Sequence, residues 1–429
     1  MTALSVAIEA IALFLFLVGM AGLVVMVKGC YVLRRLARIK RAHDATILMK
    51  SPLVPAVSVI ATPGDTSRHA RDFVRRLLDL LFGNHEVVVV LEHSESELIE
   101  WIQEFHLSRS ERVSNTLLPT RTAVLGVYES RDPFRLVVVS KEPGGPADAL
   151  SAGVNIAAAP IIGLVDPESE MDTALLLNLI RPMLADPERT IAVCGVMSPT
   201  RAPGGCAAAL GTLESLRVWL ARGAAFAGWN MLVPVPGASM LVRRDAVVRV
   251  GGFRGGALEL FLDLQALARS GGGRGRIAFV PEGVSYTRTA RSWAGLFRQN
   301  AKDQARVAWI LGRPGPGGLG AIGWGLPALF LVRWVCPVLE TAALGGAAIG
   351  LALGLVAPRL AGVVLLSTVG VGIVLSMAAV VLRELSSFEG RDPAGLAALY
   401  LSAIPENLGY RQVRNLWLIA GFFRGAPKK

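Results

Sequence analysis

Charged residues are scarce in this chain. Of its 429 residues only 18% are Asp, Glu, Lys or Arg, against about 25% in an ordinary soluble protein. Aromatic residues make up 7%, and there are four cysteines. Cys30, Cys194, Cys206 and Cys336 show no CxxC spacing, which excludes the usual structural zinc frameworks and a disulfide-stapled fold. Acids are rarer than bases, 33 against 44, leaving a net charge of +11. No nucleic-acid motif accompanies that surplus, so no nucleic-acid partner is expected. What fills the space is apolar: 52% hydrophobic residues and a mean hydropathy of +0.50, too apolar for a wholly soluble domain.

Three runs without charge stand out: Ala10 to Val27, Thr341 to Ala357 and Leu360 to Leu382. Each is near the ~20 residues a helix needs to cross ~30 Å of hydrocarbon, predicting one leading and two closing transmembrane helices. Lys28, Arg34, Arg35, Arg38, Lys40, Arg41 and Lys50 follow the first run, with Asp44 the one acid among them. The positive-inside rule then puts this side in the cytoplasm and the N-terminus outside, in an inner or plasma membrane. A cleaved signal peptide carries its basic residues before the apolar stretch, whereas here they follow it. Attraction to anionic membrane lipid explains the basic cluster.

Between these runs short β-branched stretches alternate with helical periodicity, predicting an α/β domain with a doubly wound, mainly parallel sheet. Val57 to Ala61, "HEVVVVLEH", "FRLVVVS" and "IIGLVD" read as buried strands. Ser67 to Phe82, Ser94 to Phe105 and Pro146 to Ala158 read as helices, the first on the spacing of Phe73, Leu77, Leu78 and Leu81. The expected organisation is a membrane helix at 1–30, a basic linker at 31–54, the cytoplasmic domain at 55–290, an interfacial helix and Gly/Pro hinge at 291–325, two membrane helices at 326–383 and a basic tail at 384–429. Ligands of such sheets bind beyond the carboxyl ends of the strands, where Asp166 and Glu168 of "DPE" fall. Hard carboxylate oxygens there suit Mg²⁺ or Mn²⁺ with a diphosphate completing the shell. A turn that merely opens the helix near Asp172 explains the same pair. His85 and His93 read as loop residues beside a strand.

The order of these pieces resembles the membrane-bound family 2 glycosyltransferases, the inverting GT-A enzymes that include poly-N-acetylglucosamine, hyaluronan and cellulose synthases. "PAVSVIATPGD" stands where the family opens, and "IPENLGYRQVRNLWLIAGFFRG" is similar to the tail of its bacterial members. The resemblance implies a nucleotide diphosphate sugar donor, a lipid-linked or glycan acceptor, a divalent metal and polysaccharide-export partner proteins. It implies a metal at Asp166 and Glu168. It implies donor-side roles for Pro63 and Asp65 after the first strand, Glu92 after the second, and Lys141, Gly144, Gly145 and Asp166. The glycine turn starts a helix and presents N–H groups to a phosphate. Gln299 and Lys302 stand where processive members carry QxxRW.

Other positions depart from the family. Pro146 replaces a basic residue, Asp303 replaces the Trp of QxxRW, and Gly256 and Ala257 stand where the family has Glu and its catalytic Asp. Glu259, two residues on, is the nearest candidate base, and it equally reads as a structural acid of the helix start; Asp263 reads as a solvated face residue. These departures open a second expectation, a catalytically inactive homologue serving as a scaffold or partner in a polysaccharide assembly. Inside the second apolar region Arg333 and Glu340 share a helix face and read as a membrane-entry anchor.

Overall fold

A computed structural model describes residues 3–42, 54–63, 68–92, 95–112, 114–130, 135–167, 169–199, 206–232, 238–270, 275–287, 292–312, 323, 325–386 and 393–423. Two compact units interleave along the chain. Leu36–Met197 with Pro234–Thr287 form an α/β unit, and Met1–Arg35, Ser198–Val233 and Arg288–Lys429 form a helical unit. The continuous 55–290 domain expected from the sequence is therefore interrupted: the helical stretch 206–228 belongs with the apolar helices.

The α/β unit is built on ten strands: β1 (Val57–Ala61), β2 (His85–Leu91), β3 (Leu107–Arg109), β4 (Val124–Ser130), β5 (Leu136–Lys141), β6 (Ile161–Leu164), β7 (Glu170–Met171), β8 (Thr190–Pro199), β9 (Met240–Arg243) and β10 (Arg276–Thr287). Their order is β3-β4-β5-β2-β1-β6-β9-β8-β10-β7. The parallel core is β5-β2-β1-β6, with Val59 opposite Val87 on one side and Gly163 on the other. All of β1 is buried, as expected of a strand covered on both faces. Outside that core β3, β4 and β9 pair antiparallel, so the sheet is mixed and only its centre follows the parallel expectation.

Helices Arg68–Leu78, Glu95–Glu104, Pro146–Ile156 and Leu175–Ala185 alternate with the strands as crossover units require. Phe73, Leu77, Trp101, Leu175 and Leu179 bury against Val57, Val87, Val89 and Val138 in one apolar core. Gly153 lets the helix Pro146–Ile156 lie close to the sheet, since a Cβ there would fall 2.6 Å from Ile60 Cγ2.

In the helical unit Leu4–Leu36, Leu331–Ala352 and Pro358–Glu384 are long and apolar enough to cross a membrane. Ile8, Ala12 and Leu15 pack with Cys336, Ala343, Ala347, Leu360 and Val364. The segment expected as a basic tail contains two helices, Pro393–Pro405 and Arg411–Phe423. Glu406 and Asn407 between them are fully buried. Arg333 and Glu340 are buried too, which corrects the anchor expectation. Glu340 pairs with Arg411 at 2.9 Å, and Arg333 lies 3.8 Å from Glu214.

Candidate functional site

Within the α/β unit a cavity of about 250 Å³ opens at the carboxyl end of the parallel core. Thr62 follows β1 and Asp166 follows β6, so both strands deliver their next polar residue to the same place, as strand ends of an open α/β sheet do. Pro146 and Leu150 supply another wall, Cys194 and Met240 the strand side, and Gly256, Ala257, Leu258 and Phe261 the start of the helix Ala257–Ser270. The lining is apolar apart from Thr62, Asp166 and the Cys194 thiol. Burial pushes that thiol up to about 12, so Cys194 stays protonated and unreactive near neutrality. Pro63, next after Thr62, is buried, and Asp166 is half-buried.

Asp166 begins a tight turn. Its carbonyl accepts from the Ser169 N–H at 3.1 Å and from Ser169 Oγ at 2.8 Å, which fixes the backbone from which the carboxylate lines the cavity. Glu168 and Asp65 lie outside the described residues. Among the described residues no three His, Cys, Asp or Glu side chains gather into a metal-binding group. One carboxylate facing a cavity nevertheless fits Mg²⁺ or Mn²⁺, which commonly take one or two protein carboxylates and fill their shells with water and phosphate.

The glycine turn has a different occupant from the one expected. Glu92, at the end of β2, accepts from the N–H groups of Gly144 (2.9 Å) and Gly145 (3.2 Å). Two neighbouring N–H groups at a helix start bind anions, and here the protein supplies its own carboxylate. A phosphate would have to displace Glu92. Gly145 has φ +89° with open space around its absent side chain, so glycine is needed there for backbone conformation. Gly144 is needed for room: a Cβ would lie 2.7 Å from Thr122 Oγ1 and collide with the Asp148 carboxylate.

Lys141 is also committed elsewhere. Its side chain is fully buried, and its ammonium donates to Asp148, to Thr122 Oγ1 and to the Glu142 carbonyl at 3.2 Å. Asp148 further accepts from the Arg121 N–H at 2.6 Å and Thr122 Oγ1 at 2.9 Å. Burial opposes ionisation of Asp148, but Lys141, Arg121 and Thr122 together outweigh it and hold the carboxyl below its usual range. The substrate-binding expectation for Lys141 gives way to a structural one, because an ammonium with three partners and no exposure has no donor left to offer.

Glu259, the candidate base, reaches back to the N–H of Gly256 at 2.6 Å. This is the reciprocal half of a capping box, with the acid at N3 satisfying the N-cap amide. Ala257 itself lines the cavity. Asp263 is buried, with Arg254 Nε 3.8 Å away, and is not the solvated residue its helical position suggested. His85 is not a free loop residue either: its ring nitrogens face the carbonyls of Phe82 and, at 3.1 Å, Leu77. Gln299 is exposed on the helix Trp293–Gly312 of the helical unit, and the Lys302 side chain lies outside the described residues.

Sequence reasoning missed Cys194, Met240 and Phe261 as cavity residues. β9 is four residues long, and no periodicity announces it; only the inward spacing of Leu260, Phe261 and Leu264 on the last helix could have pointed to that wall.

No family model matches the chain, and no curated protein matches it. Solved structures do. A mannosyltransferase from Pyrobaculum calidifontis in complex with GDP-Man and Mn²⁺ is 16% identical over 96% of this chain and 98% of its own, with a TM-score of 0.49. A glucosyl-3-phosphoglycerate synthase from Mycobacterium tuberculosis in complex with Mg²⁺ and uridine diphosphate is 17% identical over 64% of this chain and 85% of its own, with a TM-score of 0.36. S. aureus TarS is 13% identical over 83% of this chain and 92% of its own, with a TM-score of 0.36. At these identities and scores the chain is similar to three proteins without sharing an assignment with any of them.

Proposed function

We propose that the α/β unit is a metal-assisted, inverting glycosyltransferase of the membrane-bound family 2, GT-A type. It would move a sugar from a nucleotide diphosphate sugar to a lipid-linked or polysaccharide acceptor at the cytoplasmic face of a membrane. The observation that carries this reading is Asp166, set at the end of β6 on a cavity shared with Thr62 and with the helix start at Ala257. That is where the resemblance places metal, donor and base. Asp166, with Glu168, would hold Mg²⁺ or Mn²⁺, which supplies charge neutralisation on the departing diphosphate.

The chain's own residues do the rest. Thr62 donates its hydroxyl to a donor oxygen, and Pro63 and Asp65 are proposed on the donor side. Glu92 keeps the Gly144–Gly145 turn closed at the helix start. Glu259 is the proposed base: it takes the acceptor hydroxyl proton once its bond to Gly256 opens, since a base must come within hydrogen-bond reach of that hydroxyl. Gln299 and Lys302 are proposed on the acceptor side. Polysaccharide-export proteins are proposed partners.

A second reading, a homologue that binds without turning over, is favoured by one specific fact. The position of the family's base is a methyl group on the cavity wall, Ala257, and the nearest acid is engaged as a cap.

Titration calorimetry of the full chain in detergent with UDP, GDP and their sugars, with and without Mn²⁺, tests the first reading. Metal-dependent binding that disappears in Asp166→Ala is expected. Binding unchanged in Asp166→Ala, or none at all by folded protein, overturns it. Ala257→Asp separates the two readings, because turnover appearing in that variant alone identifies a parent chain lacking only its base.

A further inference from the structure

The helical unit contains a second cavity of about 250 Å³, and its chemistry is the reverse of the first. Leu15, Val18 and Val25 of the first helix and Leu331, Val332 and Leu375 of the later ones give it apolar walls. Set into those walls are Arg217, Arg222, Arg411 and Arg414, with Glu340 the one acid of the lining among the described residues. Arg411 pairs with Glu340 at 2.9 Å, Arg217 with Glu406 at 3.2 Å and Arg414 with Glu214 at 3.2 Å. Glu214 is shared, since Arg333 also approaches it at 3.8 Å. Arg222 makes no ion pair or hydrogen bond among the described residues. Among the described residues five guanidiniums therefore face three carboxylates, and two positive charges are left over.

Two further donors point the same way. Arg414 and Asn415 line the cavity, are 9% and 1% exposed, and leave Nε and Nδ2 respectively without an acceptor among the described residues. Burial first, and then the charges of Arg217, Arg333 and Arg414, push the half-buried Arg222 down to about 9. Unmatched buried charge is expensive to maintain unless a counter-ion is present. A guanidinium cluster with free donors matches phosphate, which it can hold by paired N–H···O bonds. The apolar walls match a hydrocarbon chain.

We propose that this cavity is a binding site for a phosphate-headed lipid, its anionic head among Arg217, Arg222, Arg414 and Asn415 and its chain along the first helix. The proposal stands independently of the transferase reading, which rests on the other unit.

The test uses the full chain in a non-ionic detergent, titrated with dioleoyl phosphatidic acid, dioleoyl phosphatidylcholine or inorganic phosphate, and read by native mass spectrometry and thermal unfolding. Saturable binding of the phosphatidic acid with a rise in unfolding temperature is expected. Inorganic phosphate should need at least about a hundredfold higher concentration for the same effect, lacking the buried chain. Arg222→Gln should lower affinity for the phosphatidic acid by about tenfold to a hundredfold, the scale of a lost charge-assisted bond, and Arg222→Lys should restore part of it. Because Arg222 has no ion-pair or hydrogen-bond partner among the described residues, the lipid-free unfolding temperature of Arg222→Gln should match the parent's or exceed it. Equal binding of phosphatidylcholine, or Arg222→Gln binding like the parent, would show a plain apolar cleft and overturn the proposal. Inorganic phosphate binding as tightly as the lipid would overturn its lipid component.

Discussion

In the α/β unit one buried ammonium, Lys141, meets one buried carboxylate, Asp148, and two oxygen partners complete its shell. Among the described residues of the helical unit five arginines share three glutamates, and several polar atoms of that cluster have no partner there. The first arrangement is closed and fixes a loop, and among the described residues the cavity beside β1 and β6 is lined by a single carboxylate, Asp166. The second is open and keeps a surplus of one sign. Charge that is fully paired builds structure, whereas charge that is left unpaired in an apolar setting marks a place prepared for a ligand.

The comparison breaks first at Glu406. This carboxylate is fully buried, accepts from Ser376 and pairs with Arg217. Glu406→Gln adds a third unmatched positive charge to the cluster and should destabilise the helical unit by about 3–5 kcal/mol, read as the largest fall in unfolding temperature of any variant here. Lys141→Met should follow closely in the α/β unit, since it strands Asp148. The double variant Lys141→Met with Asp148→Leu should recover most of that loss, because an apolar pair of similar volume removes both desolvation penalties. No such double replacement should be neutral at Arg217 and Glu406 while Arg222 and Arg333 remain.

The closed pair also has a pH signature. The folded pKa of Asp148 is below its ordinary value of 3.8. Its contribution to stability is therefore complete above the unfolded value, and it is lost as pH falls through the folded one. Acid unfolding of the parent should steepen below about pH 4, and Asp148→Asn should flatten that limb. An unchanged acid limb would show that Lys141 and Asp148 do not interact as the structure has them.

The parallel centre of the fold was legible because burial on both faces demands apolar residues, and "VSVIA" satisfies that at every position but Ser58, whose buried hydroxyl donates to Glu86 at 2.6 Å. The antiparallel flank was not. β4 is half-exposed and interrupted by a bulge between Val124 and Gly126, and β9 has four residues, too few for a period to show. The position of Asp166 beyond β6 was readable from the apolar strand before it, and its role is what the calorimetry tests. Lys141 was misread because its partner lies seven residues on, beyond the glycine turn, and nothing local distinguishes a lysine facing phosphate from one facing an aspartate. The same limit hid the arginine cluster, whose members come from positions as far apart as 217 and 414. Composition counts charges but is silent on which of them meet.

The smallest expected effect is the most informative about the candidate site. If Glu259 is only a cap, Glu259→Ala should cost about 1 kcal/mol, and Glu259→Gln less, since the amide oxygen still accepts from Gly256. Nucleotide binding should survive both. If Glu259 is the base, Glu259→Gln should abolish turnover by roughly a hundredfold or more while leaving the cap and the unfolding temperature nearly intact. Alanine confounds the two roles and glutamine separates them. A pair of variants that lose stability in the order alanine then glutamine, with transfer activity unchanged in the second, would remove Glu259 from the reaction and leave Ala257 as the sole place to look for the missing carboxylate.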